Sequence, residues 1–245
     1  MPLVHGGAQE RLSYGRKKWL RPFAVSLIGV SEFVRERLVA NGVPAGRVHV
    51  VENFLTDDLR PRRPAFRAGV ERAIVVSRLD PVKRVSLLLD ALELAPDLER
   101  LDLSVFGTGW EEAALRQRAL LRHRNVIFSG LSFEVPTMLS QADLLVHTCP
   151  TEPFGLVVLE AMAAGIPVLV PDTGGPAGFV RDGVTGFVYR ANDAAHLARR
   201  LVEIRRKSAE ELNRIVAAAD ALLRERFAPA KRISDYRALI SGEAA

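Results

Sequence analysis

Apolar and polar positions change period repeatedly along this chain. From residue 73 onward, short strand-like stretches, continuously apolar at 73–76, 126–128, 144–146 and 168–170, alternating in polarity at 101–106 and opened by a glycine at 186–189, are interleaved with helically spaced segments at 85–94, 110–121, 135–142 and 156–164. Uninterrupted apolar runs suit strands buried on both faces, and their alternation with helices predicts βαβ units. The fold class expected is therefore α/β, with one doubly wound parallel sheet of the Rossmann-like kind. A further helix is expected between 170 and 186. Residues 194–226 read as one helix with a heavily charged face, and 227–240 as another, with Pro229 marking its start.

The first part of the chain is poorer in elements. Ser31 is placed to N-cap a helix whose apolar face is Phe33, Val34, Leu38 and Val39 and whose end is Asn41-Gly42, and 48–51 reads as a short strand. One helix and one strand cannot close a core. Residues 1–58 are accordingly expected to be an incomplete amino-terminal lobe, with apolar faces that favour oligomerisation or a complementing lobe. A Pro- and Arg-rich linker follows at 60–67. The division expected is 1–58, then 59–226 as the ligand-binding domain, then 227–245 as a carboxy-terminal helix packing back on the first lobe.

Composition narrows the class. At 245 residues and 48% hydrophobic content, the chain can bury a substantial core. The single cysteine, Cys149, excludes an internal disulfide framework and is expected to be a small buried hydrophobe. No apolar run approaches a membrane span and no secretory pattern opens the chain, so a cytoplasmic location is expected. The net charge of +5 suits anionic ligands. With 7% aromatic residues and no recognisable nucleic-acid module, no nucleic acid is expected as a partner. Residues 11–21 are basic with Tyr14, Trp19 and Leu20 interleaved, which fits either a solvated helix or peripheral contact with an anionic membrane.

Candidate chemistry gathers between Asp143 and Gly178. A strand, a Pro-bounded loop, a helix closed by Gly165 and a second strand follow one another with almost no spare residues, which sets the 151–156 and 172–175 loops at one carboxyl edge of a parallel sheet. Glu152 and Glu160 lie there, with Gly155 and Gly174-Gly175 permitting close backbone approach and with open N–H groups at the helix start. Arg78 and Lys83 follow the strand at 73–76 and project from the same edge. An Arg fork and a Lys point charge suit a ligand that carries phosphate. Gly107-Thr108-Gly109 is either a phosphate- or sugar-admitting turn or a plain tight turn. No Asp-x-Asp pair exists, so no metal ligand set is expected.

The run Glu-Pro-Phe-Gly-Leu-Val-Val-Leu-Glu, continued by Glu-Ala-Met-Ala-Ala-Gly-Ile-Pro-Val, Gly-Gly and Asp-Gly-Val-Thr-Gly-Phe, resembles the E-x7-E segment of the family-four retaining glycosyltransferases of GT-B architecture. Ser77-Arg78-Leu79 with Lys83 is similar to that family's Gly-Arg-Leu…Lys-Gly, with Ser77 and Arg84 standing where it has glycines. The resemblance implies retaining transfer from a nucleotide-diphosphate sugar to an acceptor such as a glycan, lipid or small molecule, without a cofactor. It further implies that Arg78 and Lys83 hold the pyrophosphate and that Glu160 takes the ribose hydroxyls. Glu152 then meets the transferred sugar, with Phe154, Gly155 and Leu156 offering it backbone N–H groups, and Leu131, with Gly107 nearby, lies at the base. His5, in His5-Gly6-Gly7, resembles the family's sugar-facing loop or is an ordinary exposed histidine. Two alternatives stand beside this reading: a retaining glycosidase, which needs two carboxylates but no phosphate clamp, and a nucleotide-sugar-binding domain or subunit inactive without a further amino-terminal lobe.

Overall fold

The computed structural model describes residues 3–4, 14–20, 22–23, 25–55 and 61–241. The first of these residues form a small parallel sheet in the order β1 (Leu3–Val4), β2 (Leu27–Gly29) and β3 (Val48–Val50), with α1 (Glu32–Ala40) between the last two. Leu3 pairs with Ile28 and Leu27 with Val48. Ser31 caps α1 as expected, its hydroxyl accepting from Val34 N–H at 3.2 Å.

The apolar faces expected to lack partners are covered. Val34 and Leu38 have no exposed surface and share one apolar cluster with Phe154, Val158, Leu159 and Phe227. This corrects the expectation that the apolar face of α1 lacks partners within the chain. Their partners lie more than a hundred residues downstream, where local periodicity cannot point. The described part of the basic segment is a short 3-10 turn, Gly15–Leu20, rather than a longer helix. No helix among the described residues is long and apolar enough to cross a membrane.

The large sheet has six parallel strands. In chain order they are β4 (Arg72–Val76), β5 (Asp102–Phe106), β6 (Val126–Gly130), β7 (Leu144–Val146), β8 (Val168–Pro171) and β9 (Phe187–Tyr189), and in space they run β6-β5-β4-β7-β8-β9. Winding proceeds outward from β4 in one direction and then, starting at β7, in the other, so the connections reverse between β4 and β7. Such a reversal leaves a crevice at the carboxyl ends of the two central strands. Helices α2 (Val85–Leu94), α3 (Glu112–Arg122), α4 (Val135–Ser140), α5 (Leu156–Ala163) and α6 (Ala194–Arg205) cover the faces. Alternation along each strand sorts the core: Val75, Leu144, Val146 and Leu169 join α2 and α6 residues on one face, while Ile74, Leu145, Val168 and Val170 join α4, α5 and α1 on the other.

Two expected helices differ. Between β8 and β9 only a 3-10 turn, Pro176–Gly178, forms, because Gly174, Gly175 and Gly183 punctuate the segment. The long charged helix is two, α6 and α7 (Ala209–Arg226), since Ser208 starts a capping box with Glu211 that ends one helix axis and begins another. Beyond them α8 (Pro229–Ser241) returns to the first sheet, where Leu239 and Tyr236 pack with Ile28 and Val51. Glu52 fixes that return by pairing with Arg226 at 2.6 Å and Arg232 at 3.5 Å.

Asp143 ties the two central strands at their amino ends. It is buried, and accepts from Arg63 (2.8 Å), from the Arg72 guanidinium (3.1 Å) and from the Arg72 and Glu71 N–H groups (2.8 and 3.2 Å). Burial alone pushes its carboxyl up, but the hydrogen bonds from Arg72 and Arg63 outweigh it and hold the pKa below the usual carboxylate range. A depressed folded pKa stabilises the fold above the unfolded value of about 3.9, and that stabilisation is lost as pH falls through the folded value. Asp143→Asn is expected to lower unfolding free energy by about 3–5 kcal/mol at pH 7, with the gap to wild type closing below about pH 4. Denaturant titrations at both pH values check this, and a gap unchanged by acid would contradict it.

Candidate active site

The loop after β4 is shaped by the loop beside it. Leu79, fully buried, donates its N–H to Thr108 O at 2.8 Å and accepts from Glu111 N–H at 2.9 Å. A Cβ on Gly107 would lie 1.8 Å from Ser77 O, and one on Gly109 would lie 2.5 Å from Leu79 O. Both glycines are thus demanded by protein backbone. The space that a ligand-admitting turn would leave at these two positions is filled by the Ser77–Leu79 backbone, which favours the tight-turn alternative for the Gly107-Thr108-Gly109 segment. Leu131 begins the loop after β6 and is 64% exposed at the same edge.

Lys83 ends a 3-10 turn, and Arg84 follows in the left-handed region at φ 57°, its guanidinium held by Asn192 Oδ1 at 2.7 Å. The reversal of direction delivers Lys83 into the crevice. Its ammonium donates to Glu152 Oε2 at 2.6 Å, with the two side chains only 18% and 16% exposed. Thr148, just past β7, donates to Lys83 O at 2.6 Å and so ties the two central loops together. Burial pushes the Glu152 carboxyl up, but the Lys83 charge and hydrogen bonds from Lys83 and Phe154 N–H hold it below the usual range. Glu152 is therefore an anion at neutral pH.

A residue not foreseen from sequence completes this group. His147, 4% exposed, places Nε2 3.9 Å from the same Glu152 oxygen, and that nitrogen has no hydrogen-bond partner among the described residues. Burial, with the Lys83 charge adding to it, pulls the imidazole down to about 4. Cys149 beside it is buried and its thiol is pushed up by burial, as befits a small apolar residue and not a nucleophile.

The second half of the site is a clasp of two loops. Gly155 caps α5 at φ 90°, and Gly175 N–H donates to Glu152 O at 2.7 Å. A Cβ on Gly175 would meet Pro153 O at 2.4 Å, so this glycine is required by contact between the loops. Thr173 Oγ1 donates to Pro150 O at 2.9 Å, and the Ser31 hydroxyl donates to Pro153 O, linking the clasp to the first sheet. Phe154 faces inward, ringed by Phe179 and Phe227 at centroid distances of 5.6 and 5.9 Å. Its side chain anchors the loop and only its backbone can serve a ligand. Leu156 is partly exposed and lines an apolar cleft of about 430 Å³ with Leu3, Val51, Phe54, Ile233 and Tyr236.

Not every expected residue joins the cluster. Arg78 is 66% exposed and pairs with Asp80 at 2.6 Å, apart from Glu152. Glu160, half-buried on the second turn of α5, has no ionic partner among the described residues, and burial alone raises its carboxyl. His5 lies outside the described residues. Among the described residues, no group of three or more His, Cys, Asp and Glu side chains gathers as a metal site. The arrangement can bind an anion with Lys83 and Arg78, accept from hydroxyls with two carboxylates and donate from a helix start.

Comparison with known proteins gives the family and the fold. The chain is similar to the phosphatidyl-myo-inositol mannosyltransferase of Mycobacterium leprae (strain TN), 30% identical over 215 residues, covering 84% of this chain and 57% of that protein. It is also similar to the glycogen synthase of Mycobacterium tuberculosis (strain ATCC 25618 / H37Rv), 31% identical over 204 residues, 78% of this chain and 48% of that protein. This chain thus spans about half the length of these two curated relatives. The crystal structure of Anabaena Alr3699/HepE in complex with UDP and glucose superposes with a TM-score of 0.84 at 23% identity, over 98% of this chain and 71% of that one. The same fold recurs in a glycosyltransferase from Rickettsia africae ESF-5, with a TM-score of 0.78 at 17% identity over 97% of this chain and 68% of that one. These likenesses establish a GT-B-type α/β fold. The family model described as "Glycosyl transferases group 1" matches residues 58–221, two-thirds of the chain and all six strands of the large sheet, and the chain accordingly belongs to the group 1 glycosyl transferases.

Proposed function

We propose that this chain binds a nucleotide-diphosphate sugar in the crevice between β4 and β7 and serves its retaining transfer to an acceptor. The observation that carries the reading is the buried Lys83–Glu152 pair at the switch point, 2.6 Å across. An ammonium held there by a carboxylate is poised for a diphosphate, and the carboxylate it releases is poised for sugar hydroxyls. Arg78, exposed and paired with Asp80, turns from that partner to the phosphates. Glu160 accepts from ribose hydroxyls, and the N–H groups at the start of α5 face the sugar. The solved relative Alr3699/HepE, crystallised with UDP-glucose, supports a donor of this class.

In the reaction proposed, the bond from the anomeric carbon to the phosphate oxygen breaks and the acceptor oxygen bonds to that carbon from the same face. The departing phosphate oxygen takes the acceptor's proton. Arg78 and Lys83 stabilise the charge that develops on the diphosphate, so no divalent metal is required. Glu152 orients the sugar and offsets positive charge on its ring.

Two measurements bear on these roles. Calorimetric titration with UDP, run in the presence of a chelator, is expected to show binding that Arg78→Ala and Lys83→Ala together weaken by about 100-fold or more, since each charge-assisted contact is worth about 1.5–3 kcal/mol. Binding unchanged in the double variant would remove the phosphate clamp, and binding restored only by magnesium would remove the metal-free reading. In the second, Glu160→Gln is expected to weaken bare UDP by about tenfold, while Glu152→Gln acts mainly on the UDP-glucose affinity. Equal losses for bare UDP in both variants would contradict the division of labour.

A further inference from the structure

His147 has no role in the account above, yet it is a buried polar group at the heart of the site. Its backbone N–H donates to Leu169 O at 2.8 Å and its backbone carbonyl accepts from the Tyr189 hydroxyl at 3.4 Å, so the residue is sewn into the sheet between β7 and its neighbours. The ring is buried, and Nε2 is unpaired while standing 3.9 Å from Glu152 Oε2. Buried polar atoms are nearly always satisfied, and an exception at a binding site asks for a reason.

Lys83 supplies the reason. One ammonium already serves that carboxylate oxygen at 2.6 Å, and a diphosphate entering the crevice competes for the same ammonium. Once drawn toward phosphate, Lys83 leaves behind a largely buried carboxylate whose charge is no longer compensated at close range. Phe154 N–H also serves this carboxylate, but among the described Lys, Arg and His side chains the next nitrogen to that oxygen is His147 Nε2.

Building on the donor-site reading above, we infer that His147 is a positioning residue that takes over Glu152 when a donor's phosphates draw Lys83 away, donating from Nε2–H to Glu152 Oε2. A shift of about 1 Å closes the gap to hydrogen-bond distance. The handover keeps Glu152 ionised and aimed at the sugar while Lys83 serves the diphosphate. While the Lys83–Glu152 pair is closed, burial outweighs the pull of the Glu152 charge and keeps the ring neutral, with one proton to share.

A double-mutant cycle tests the handover. Affinity for UDP-glucose is measured by calorimetry in wild type, His147→Leu, Glu152→Gln and the double variant, with thermal unfolding confirming that each is folded. His147→Leu is expected to weaken binding about tenfold in the wild-type background and by less than about twofold in the Glu152→Gln background. His147→Gln, whose amide can present an N–H, is expected to recover most of the affinity; His147→Asn, too short to reach, is not, and this pair carries the test if the leucine variant does not fold. A structural role alone would lower affinity equally in both backgrounds, and that result, or no loss at all, overturns the inference. Failure of the wild-type chain to bind UDP, UDP-glucose, GDP or GDP-mannose would overturn the donor-site reading instead, and the inference with it.

Discussion

The buried contact between Lys83 and Glu152 is the constraint on which the site depends. Two opposite charges held mostly out of water are tolerable only as a close pair, and either one alone would be strongly unfavourable. The pair can form only if the loops after β4 and β7 end within reach of each other, and the reversal of strand order puts them there. At the opposite end of the same two strands, Asp143 gathers Arg63, Arg72 and two backbone N–H groups. The central strands are thus fixed by charge at both ends and by apolar packing between.

Glycine placement follows from the same demand for closeness. Gly107 and Gly109 let one loop lie against the backbone of Ser77–Leu79, while Gly175 lets another touch Pro153 and Phe154. These contacts are between stretches of protein backbone. They stiffen the two loops that carry Lys83 and Glu152, so that the pair is held by scaffold and the ligand need not order it. The Phe154, Phe179 and Phe227 cluster acts likewise from below, and Ser31 carries the support across to the first sheet.

Much of this was legible in the sequence because strands buried on both faces leave uninterrupted apolar runs. The strand at 144–146 and the helix at 85–94 have the bounds their patterns predict. Other features were hidden for physical reasons. β1 and β2, of two and three residues, are too short to show a period. The burial of α1 depends on residues far away in the chain, whereas the break at Ser208 was readable from its Glu three positions on. Arg78 and Lys83 were found as charges at a sheet edge, but which of them contacts Glu152 is decided by the turn at Pro81–Lys83. His147 continues an apolar strand and so carries no signal in the sequence, and its unpaired nitrogen is visible only in three dimensions. For Gly107 and Gly109, sequence shows that space is needed but not whether ligand or protein fills it.

The central claim is that the Lys83–Glu152 pair is the ground state of a donor site and opens when donor binds. A crystal structure of this chain with UDP-glucose tests it most directly. The account predicts the diphosphate at the carboxyl ends of β4 and β7, Lys83 Nζ within hydrogen-bond distance of a phosphate oxygen, and Glu152 turned to the sugar hydroxyls. A nucleotide seated elsewhere, or in the crevice with the Lys83–Glu152 pair intact and no phosphate contact from Lys83, would contradict it.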